Sequence, residues 1–324
     1  MKHKVLVIQR IHQAGIDLLA KEAEVVIASS TDPEQVKKEL ADCDGCIVRV
    51  SPLPADVINS APKLKVIGRH GVGVDNIDIV AAAKRGIPVV YAPGSNDISV
   101  AEHAVSLMTG VAKVLTQADK ALKDRGDYEF RMAVKTTELF GKTVGVVGLG
   151  SIGRKVAAIC KNGFNMTVIA YDKFVTAEVA SQLGVTLVDS LEAVMAAADF
   201  VTVHVPYNKE TFHLIGAKEF AAMKKTAFFI NTSRGPVVDE EALIAALEQK
   251  QFVGAGLDVF ETEPPLPENP LFRMDNVVVT PHMAAHTEEG LIRMATVAAQ
   301  GVLDVLNGKT PQFVANKSLL QTEN

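Results

Sequence analysis

The run Gly148-Leu149-Gly150-Ser151-Ile152-Gly153 constrains this chain more than any other segment. It follows the apolar stretch Thr143 to Val147 and opens a helix-forming stretch, Arg154 to Ile159. Asp172 closes the next apolar run, Met166 to Tyr171, 19 residues beyond Gly153. A bare G-x-G-x-x-G is a weak signal. A strand before it, a helix after it and a carboxylate at this spacing together specify a dinucleotide-binding βαβ unit. Gly148 permits the tight turn, Gly150 the close approach of backbone to a pyrophosphate, and Gly153 the packing of helix on strand; the helix start offers unsatisfied N–H groups to the phosphates. The Asp172 carboxylate can accept hydrogen bonds from both adenosine-ribose hydroxyls and would repel a 2′-phosphate. The expected cofactor is therefore NAD, not NADP.

The rest of the composition narrows the possibilities. A length of 324 residues suits two domains, and 48% hydrophobic with 22% charged residues is ordinary for a soluble protein. The chain shows no basic-then-apolar leader, and no apolar run approaches the ~18 residues of a membrane span, so a cytoplasmic protein without a membrane partner is expected. A net charge of −5 argues against a nucleic-acid partner. An anionic substrate would then have to be held by local arginines. Three cysteines fit a reducing compartment. Cys43 and Cys46 form a C-x-x-C, but beside a strand and with no second ligand pair, so they read as small partly buried thiols; no metal site is expected.

Short β-branched runs at Val5–Ile8, Val25–Ile27, Cys46–Val48, Val66–Gly68 and Val89–Tyr91 alternate with amphipathic stretches. They predict five parallel strands of a small doubly wound α/β unit. Ser99-Val100-Ala101-Glu102 reads as a capping box opening a helix to about Leu122. That helix is apolar nearly all round in its first turns, as a buried spine or subunit interface would be. After the strand at Thr143, further strands are expected at Met166–Tyr171, Phe200–Val203, Ala227–Ile230, Ala255–Leu257 and Val277–Thr280, and a last helix from Thr287 to Asn307, closed by Gly308. The expected division is residues 1–98 with 288–324 as one domain and 99–287 as the NAD-binding domain, the chain crossing twice and leaving a cleft.

In an open α/β sheet, ligands bind outside the carboxyl ends of the strands. The predicted strand ends carry Asn231-Thr232-Ser233-Arg234-Gly235, then Asp258 with Glu263 beyond it, then Pro281-His282. An arginine, two carboxylates and a histidine, remote in sequence, suit carbonyl reduction. Arg234 can fork onto a substrate carboxylate and polarise the adjacent carbonyl. His282 can deliver or remove the hydroxyl proton, and Glu263 can fix its tautomer and raise its pKa. Taken singly, Arg234 could pair with Asp239 and Glu263 could be a solvated residue of a Pro-rich loop; the joint placement favours catalysis. His103 and His286 are given no role.

These residues carry a resemblance. The chain resembles the D-isomer-specific 2-hydroxyacid dehydrogenases over essentially its whole length, and among them it is most similar to the D-3-phosphoglycerate dehydrogenases. The matching segments are Gly68 to Asp78, Ser99 to His103, Gly148 to Gly153, Asn231 to Gly235, Leu257 to Pro264 and Thr280 to His282. The resemblance implies a Rossmann domain inserted in a flavodoxin-like substrate domain, a homodimer formed through the Rossmann half, and Arg234, Glu263 and His282 as the catalytic residues. It implies cofactor contacts at Ser151, Ile152, Asp172, Val205, Pro206, Thr232, Ser233, Asp258, His282 and Ala284, and a substrate-carboxylate cradle at the amides near Val72 and Gly73. Arg49 and Arg69 match phosphate-binding positions of the phosphoglycerate dehydrogenases, so the substrate expected is a small anionic 2-hydroxy or 2-oxo acid, 3-phosphoglycerate or 3-phosphohydroxypyruvate. His70 departs from the family pattern, where a small residue is frequent, and the sequence to Asn324 corresponds to the short form without a C-terminal regulatory domain. The alternatives are a hydroxypyruvate or glyoxylate reductase, a sulfolactate-type dehydrogenase and, in another class, an NAD-sensing corepressor-like binding protein.

Overall fold

Apolar runs of four or five residues without alternation can be buried only on both faces, which calls for parallel sheets with helices on either side. The computed structural model, which describes residues 2–321, has this form in two compact units. The first comprises the chain up to Asn96 and from His286 onward; the second runs from Asp97 to Ala285.

In the first unit, strands β1 (His3–Val7), β2 (Ala23–Ile27), β3 (Gly45–Val48), β4 (Val66–Arg69) and β5 (Val89–Val90) form a parallel sheet in the order β2-β1-β3-β4-β5. This is the flavodoxin-like order. One face buries Leu6, Cys46, Val48 and Ile67 against Leu40, Ile58 and Ala82 of the short helices. The other buries Val5, Val7, Ile47 and Val66 against Leu19 and against Ala299, Val302 and Leu303 of the helix Glu288–Leu306. Each such fully buried aliphatic side chain contributes ~1.5–3 kcal/mol, more than the Thr287 hydroxyl that accepts from the Gly290 amide and caps the same helix.

In the second unit, β6 (Thr143–Val147), β7 (Thr167–Tyr171), β8 (Thr186–Leu187), β9 (Phe200–Val203), β10 (Phe228–Asn231), β11 (Gly254–Leu257) and β12 (Val277–Val279) form a parallel sheet in the order β12-β11-β10-β9-β6-β7-β8. Winding reverses between β6 and β9, so a crevice opens at their carboxyl ends. The helices Asp97–Ala112 and Ser151–Phe164 cover the face carrying Val146, Phe200 and Ile230, while Phe220, Leu243 and Leu247 cover the face carrying Val201, Phe229 and Leu257.

Three local readings need correction. The helix begins at Asp97, so Ser99 and Glu102 lie inside it and form no capping box. Asp97 is buried and accepts from the Ser151 hydroxyl, which anchors the helix two residues earlier. The helix also ends at Ala112 and resumes as Leu115–Arg125 after a 62° bend at Val114, whose φ is +54°. The Ala112 carbonyl takes the amide of Thr137 at 2.9 Å, removing it from the helical ladder. Finally, the short strand β8 is absent from the expected strands. No single helix among the described residues is long and apolar enough to cross a membrane.

Two histidines follow strands β4 and β9: His70 is buried, and His204 is half-buried with its Nδ1 shielded from solvent. Burial, reinforced by the nearby Arg49 and Arg69 charges, pushes His70 down to about 4, and burial pushes His204 down to about 3. Both are neutral when folded and bind protons below pH 6.5 when unfolded, so stability rises with pH across this interval. Lowering the pH from 7 to 5 should therefore cost about 2 kcal/mol per histidine. In urea denaturation, His70→Gln should lose correspondingly less than the parent over this range; identical pH slopes would contradict it.

Candidate active site

The glycine loop after β6 turns at Gly148, with φ +93°, and doubles back on the helix Ser151–Phe164. A Cβ on Gly153 would lie 2.1 Å from the Gly148 carbonyl oxygen, whereas nothing lies within 4 Å of the same position on Gly150. The tight contact fixes the helix to the turn; the open side leaves room for a ligand at a helix start that no side chain caps. Asp172, just past β7, accepts from the Leu149 amide at 2.7 Å through Oδ2, and from the Phe174 and Val175 amides at 2.8 and 3.0 Å through Oδ1. It thus ties the glycine loop to the next strand end. A carboxylate offers about four acceptor sites, so capacity for a ribose hydroxyl remains.

The other expected cofactor residues surround the same strand ends. Ile152 is half-buried on the glycine helix, and Val205 packs toward Gly148. Pro206 is exposed. Thr232 is buried, and its hydroxyl has no partner among the described residues. Ser233 is buried with its amide and hydroxyl on Asn231 Oδ1. An orphaned hydroxyl and an open glycine face are what a dinucleotide would complete. The residues fit one.

Asp258, fully buried after β11, organises the turn beyond β12. Its Oδ1 accepts from the Thr280 hydroxyl at 2.5 Å and the Met283 amide at 2.8 Å, its Oδ2 from the Ala284 amide at 2.8 Å, and His103 Nε2 lies 3.5 Å away. Burial opposes its ionisation, but these bonds outweigh it and hold the carboxyl below its ordinary range. The Asp258 carbonyl also accepts from the His282 amide at 2.8 Å. His282 is thereby held at φ +50°, a strained conformation for a residue with a side chain. Its Nδ1 lies 2.6 Å from Glu263 Oε2, and Glu263 Oε1 accepts from the Phe260 amide at 3.1 Å. With Nδ1 engaged, Nε2 is the nitrogen left for proton transfer. Arg234, half-buried after β10, donates to the Ser233 carbonyl at 2.8 Å. Asp239 caps the helix Glu240–Glu248, accepting from the Ala242 amide at 3.0 Å.

In the first unit, Arg49 and Arg69 stand at the ends of adjacent strands, Val48 and Arg69 being register partners. Arg49 Nη2 meets His286 Nε2. Arg69 Nε donates to the Gly73 carbonyl at 2.6 Å and Nη1 to the His70 carbonyl, so the guanidinium supports the loop that carries half-buried Val72 and Gly73.

The profile of the D-isomer specific 2-hydroxyacid dehydrogenase NAD binding domain matches residues 105–284. The chain belongs to this family. It is 44% identical over 97% of its length to D-3-phosphoglycerate dehydrogenase of Methanocaldococcus jannaschii, and spans 59% of that relative; it covers under three fifths of the first curated relatives it matches. It is 39% identical to glyoxylate reductase of Thermofilum pendens, covering 98% of this chain and 96% of that one. The solved NADPH-dependent glyoxylate/hydroxypyruvate reductase of Sinorhizobium meliloti, in complex with NADP and malonate, superposes with a TM-score of 0.87 at 29% identity over 98% of both chains.

Residues 105–284, this family's NAD binding domain, lie within the unit from Asp97 to Ala285. Two of its residues escaped the sequence reading. Asp97 holds Ser151, and His103 Nε2 lies 2.9 Å from Thr280 Oγ1. Only the position of His103 in a family-matching segment signalled the second. Gly235 is a further constraint: a Cβ there would lie 1.7 Å from the Phe260 carbonyl oxygen. Gly235→Ala must displace backbone, and should cost at least ~2 kcal/mol of stability. A melting temperature equal to the parent's would contradict this packing.

Proposed function

We infer that this chain is an NAD-dependent dehydrogenase interconverting a D-2-hydroxyacid and its 2-oxoacid, with 3-phosphoglycerate and 3-phosphohydroxypyruvate as the substrate pair. The observation that carries the reading is the His282–Glu263 pair at 2.6 Å, anchored through Asp258 in a dinucleotide-binding sheet. When bound, nicotinamide supplies or accepts the hydride. In reduction, His282 gives the proton at Nε2 to the carbonyl oxygen as it becomes a hydroxyl, and in oxidation takes it back. Glu263 stabilises the imidazolium and fixes its orientation. Arg234 engages the substrate carboxylate and polarises the carbonyl. In the first unit, the family resemblance implies the Val72 and Gly73 amides as carboxylate donors and Arg49 and Arg69 as ligands of a tail phosphate.

On the cofactor side, Gly148, Gly150, Ser151, Ile152 and Gly153 receive the pyrophosphate, with Val205, Pro206, Thr232, Ser233, Asp258, His282 and Ala284 along the rest. NAD is preferred because Asp172 opposes a 2′-phosphate. The exposed apolar side chains Leu115, Leu122, Met132 and Phe140 support a homodimer formed through the Asp97–Ala285 unit. The three unpaired buried cysteines support a cytoplasmic location.

One observation favours a second reading, reduction of glyoxylate or hydroxypyruvate: the Arg69 guanidinium is already committed to two loop carbonyls. The test is initial rates with NADH and NADPH over phosphohydroxypyruvate, hydroxypyruvate and glyoxylate. NADH should be favoured by well over tenfold and phosphohydroxypyruvate should be the best substrate. Arg49→Ala, which leaves the Arg69 bonds to the loop of Val72 and Gly73 in place, should lose about tenfold or more in kcat/KM on phosphohydroxypyruvate, one charge-assisted contact, and little on glyoxylate. Equal losses would select the second reading; equal use of NADPH would overturn the cofactor assignment.

A further inference from the structure

The segment Phe260-Glu261-Thr262-Glu263 supplies Glu263, yet the most constrained residue in it is Glu261. Glu261 and Glu240 are bonded reciprocally: the Glu240 amide donates to Glu261 Oε2 at 3.0 Å, and the Glu261 amide donates to Glu240 Oε2 at 2.9 Å. The remaining oxygen of each carboxylate is also used. Asn269 Nδ2 donates to Glu240 Oε1 at 2.8 Å, and His213 Nε2 lies 2.7 Å from Glu261 Oε1. His213 is itself fixed, with its amide on the Pro236 carbonyl at 2.9 Å and its ring stacked on Phe212 at 3.9 Å.

This clamp holds one end of the peptide between Phe260 and Glu261. Gly235 bears on the carbonyl of that peptide. The Phe260 amide, one residue earlier, bonds Glu263 Oε1, and the other oxygen of Glu263 faces His282. The Phe260 ring is pinned edge-on against Phe272 at 5.4 Å. Two successive amides, of Phe260 and Glu261, are therefore held by Glu263 and Glu240, and the carbonyl between them lies so close to Gly235 that a side chain there would collide with it. Two carboxylates brought together cost free energy unless each is satisfied by donors; here every oxygen has one. The carboxylates bond backbone, an imidazole and an amide, and none touches the reacting position.

We propose that Glu261 is a positioning residue, which through its reciprocal clamp with Glu240 and its pair with His213 sets the orientation of Glu263 on His282. This rests on the assignment of His282 and Glu263 made above. A carboxylate swung away from Nδ1 stabilises the imidazolium less, so the proton donor would lose its proton at lower pH. Substrate and cofactor binding, which do not use these atoms, stay as they are.

The test is the pH profile of NADH-dependent reduction of the best 2-oxoacid found for the parent enzyme. Glu261→Ala should lower kcat about tenfold with KM little changed, and move the alkaline limb of the kcat profile down by about half a pH unit. Glu240→Ala, breaking the same clamp from its other side, should do the same, and Glu261→Gln, which retains an acceptor, should recover most of the loss. In a Glu263→Gln background, Glu261→Ala should cost nothing further. A Glu261→Ala enzyme with the parental pH profile, or one that loses the same factor with and without Glu263, would overturn the proposal. A parent inactive on every 2-oxoacid would instead overturn the assigned activity.

Discussion

One buried carboxylate holds the turn beyond β12 in shape. Asp258 has no exposure to solvent, yet remains charged because the Thr280 hydroxyl, the Met283 and Ala284 amides and His103 converge on it. An unpaired charge at that depth would cost several kcal/mol. The chain beyond β12 is therefore obliged to wrap around it. That wrapping forces His282 into a left-handed conformation and presents its ring to Glu263. The strain at His282 persists because the Asp258 carbonyl and carboxylate both act on consecutive residues of the turn.

Much of this was legible from residue types. Period-free apolar runs marked both parallel sheets, and the glycine run marked the tight turn between β6 and its helix, since each obeys a local rule: burial on two faces, or a turn only glycine can make. Arg234, Glu263 and His282 could be picked out because they follow strands at sheet ends. The family resemblance, carried by the same segments, agrees with the profile match over residues 105–284.

What was not legible depends on distant partners. The helix end at Ala112 is set by Thr137, 25 residues on, and the helix start at Asp97 by Ser151. Glu261 lies in the family-matching segment Leu257 to Pro264, but nothing in the sequence pairs it with Glu240; only the folded chain shows each accepting the other's amide. Arg69 is the same kind of case, an expected anion ligand that also supports its own loop.

The central claim is that His282, held by Glu263, moves the proton. The most direct measurement is kcat for NADH-dependent 2-oxoacid reduction by His282→Ala, with NADH binding followed by fluorescence titration. The expected result is a fall in kcat on the order of 10²–10⁴, with NADH affinity within about twofold of the parent. Turnover close to the parent's would contradict the account.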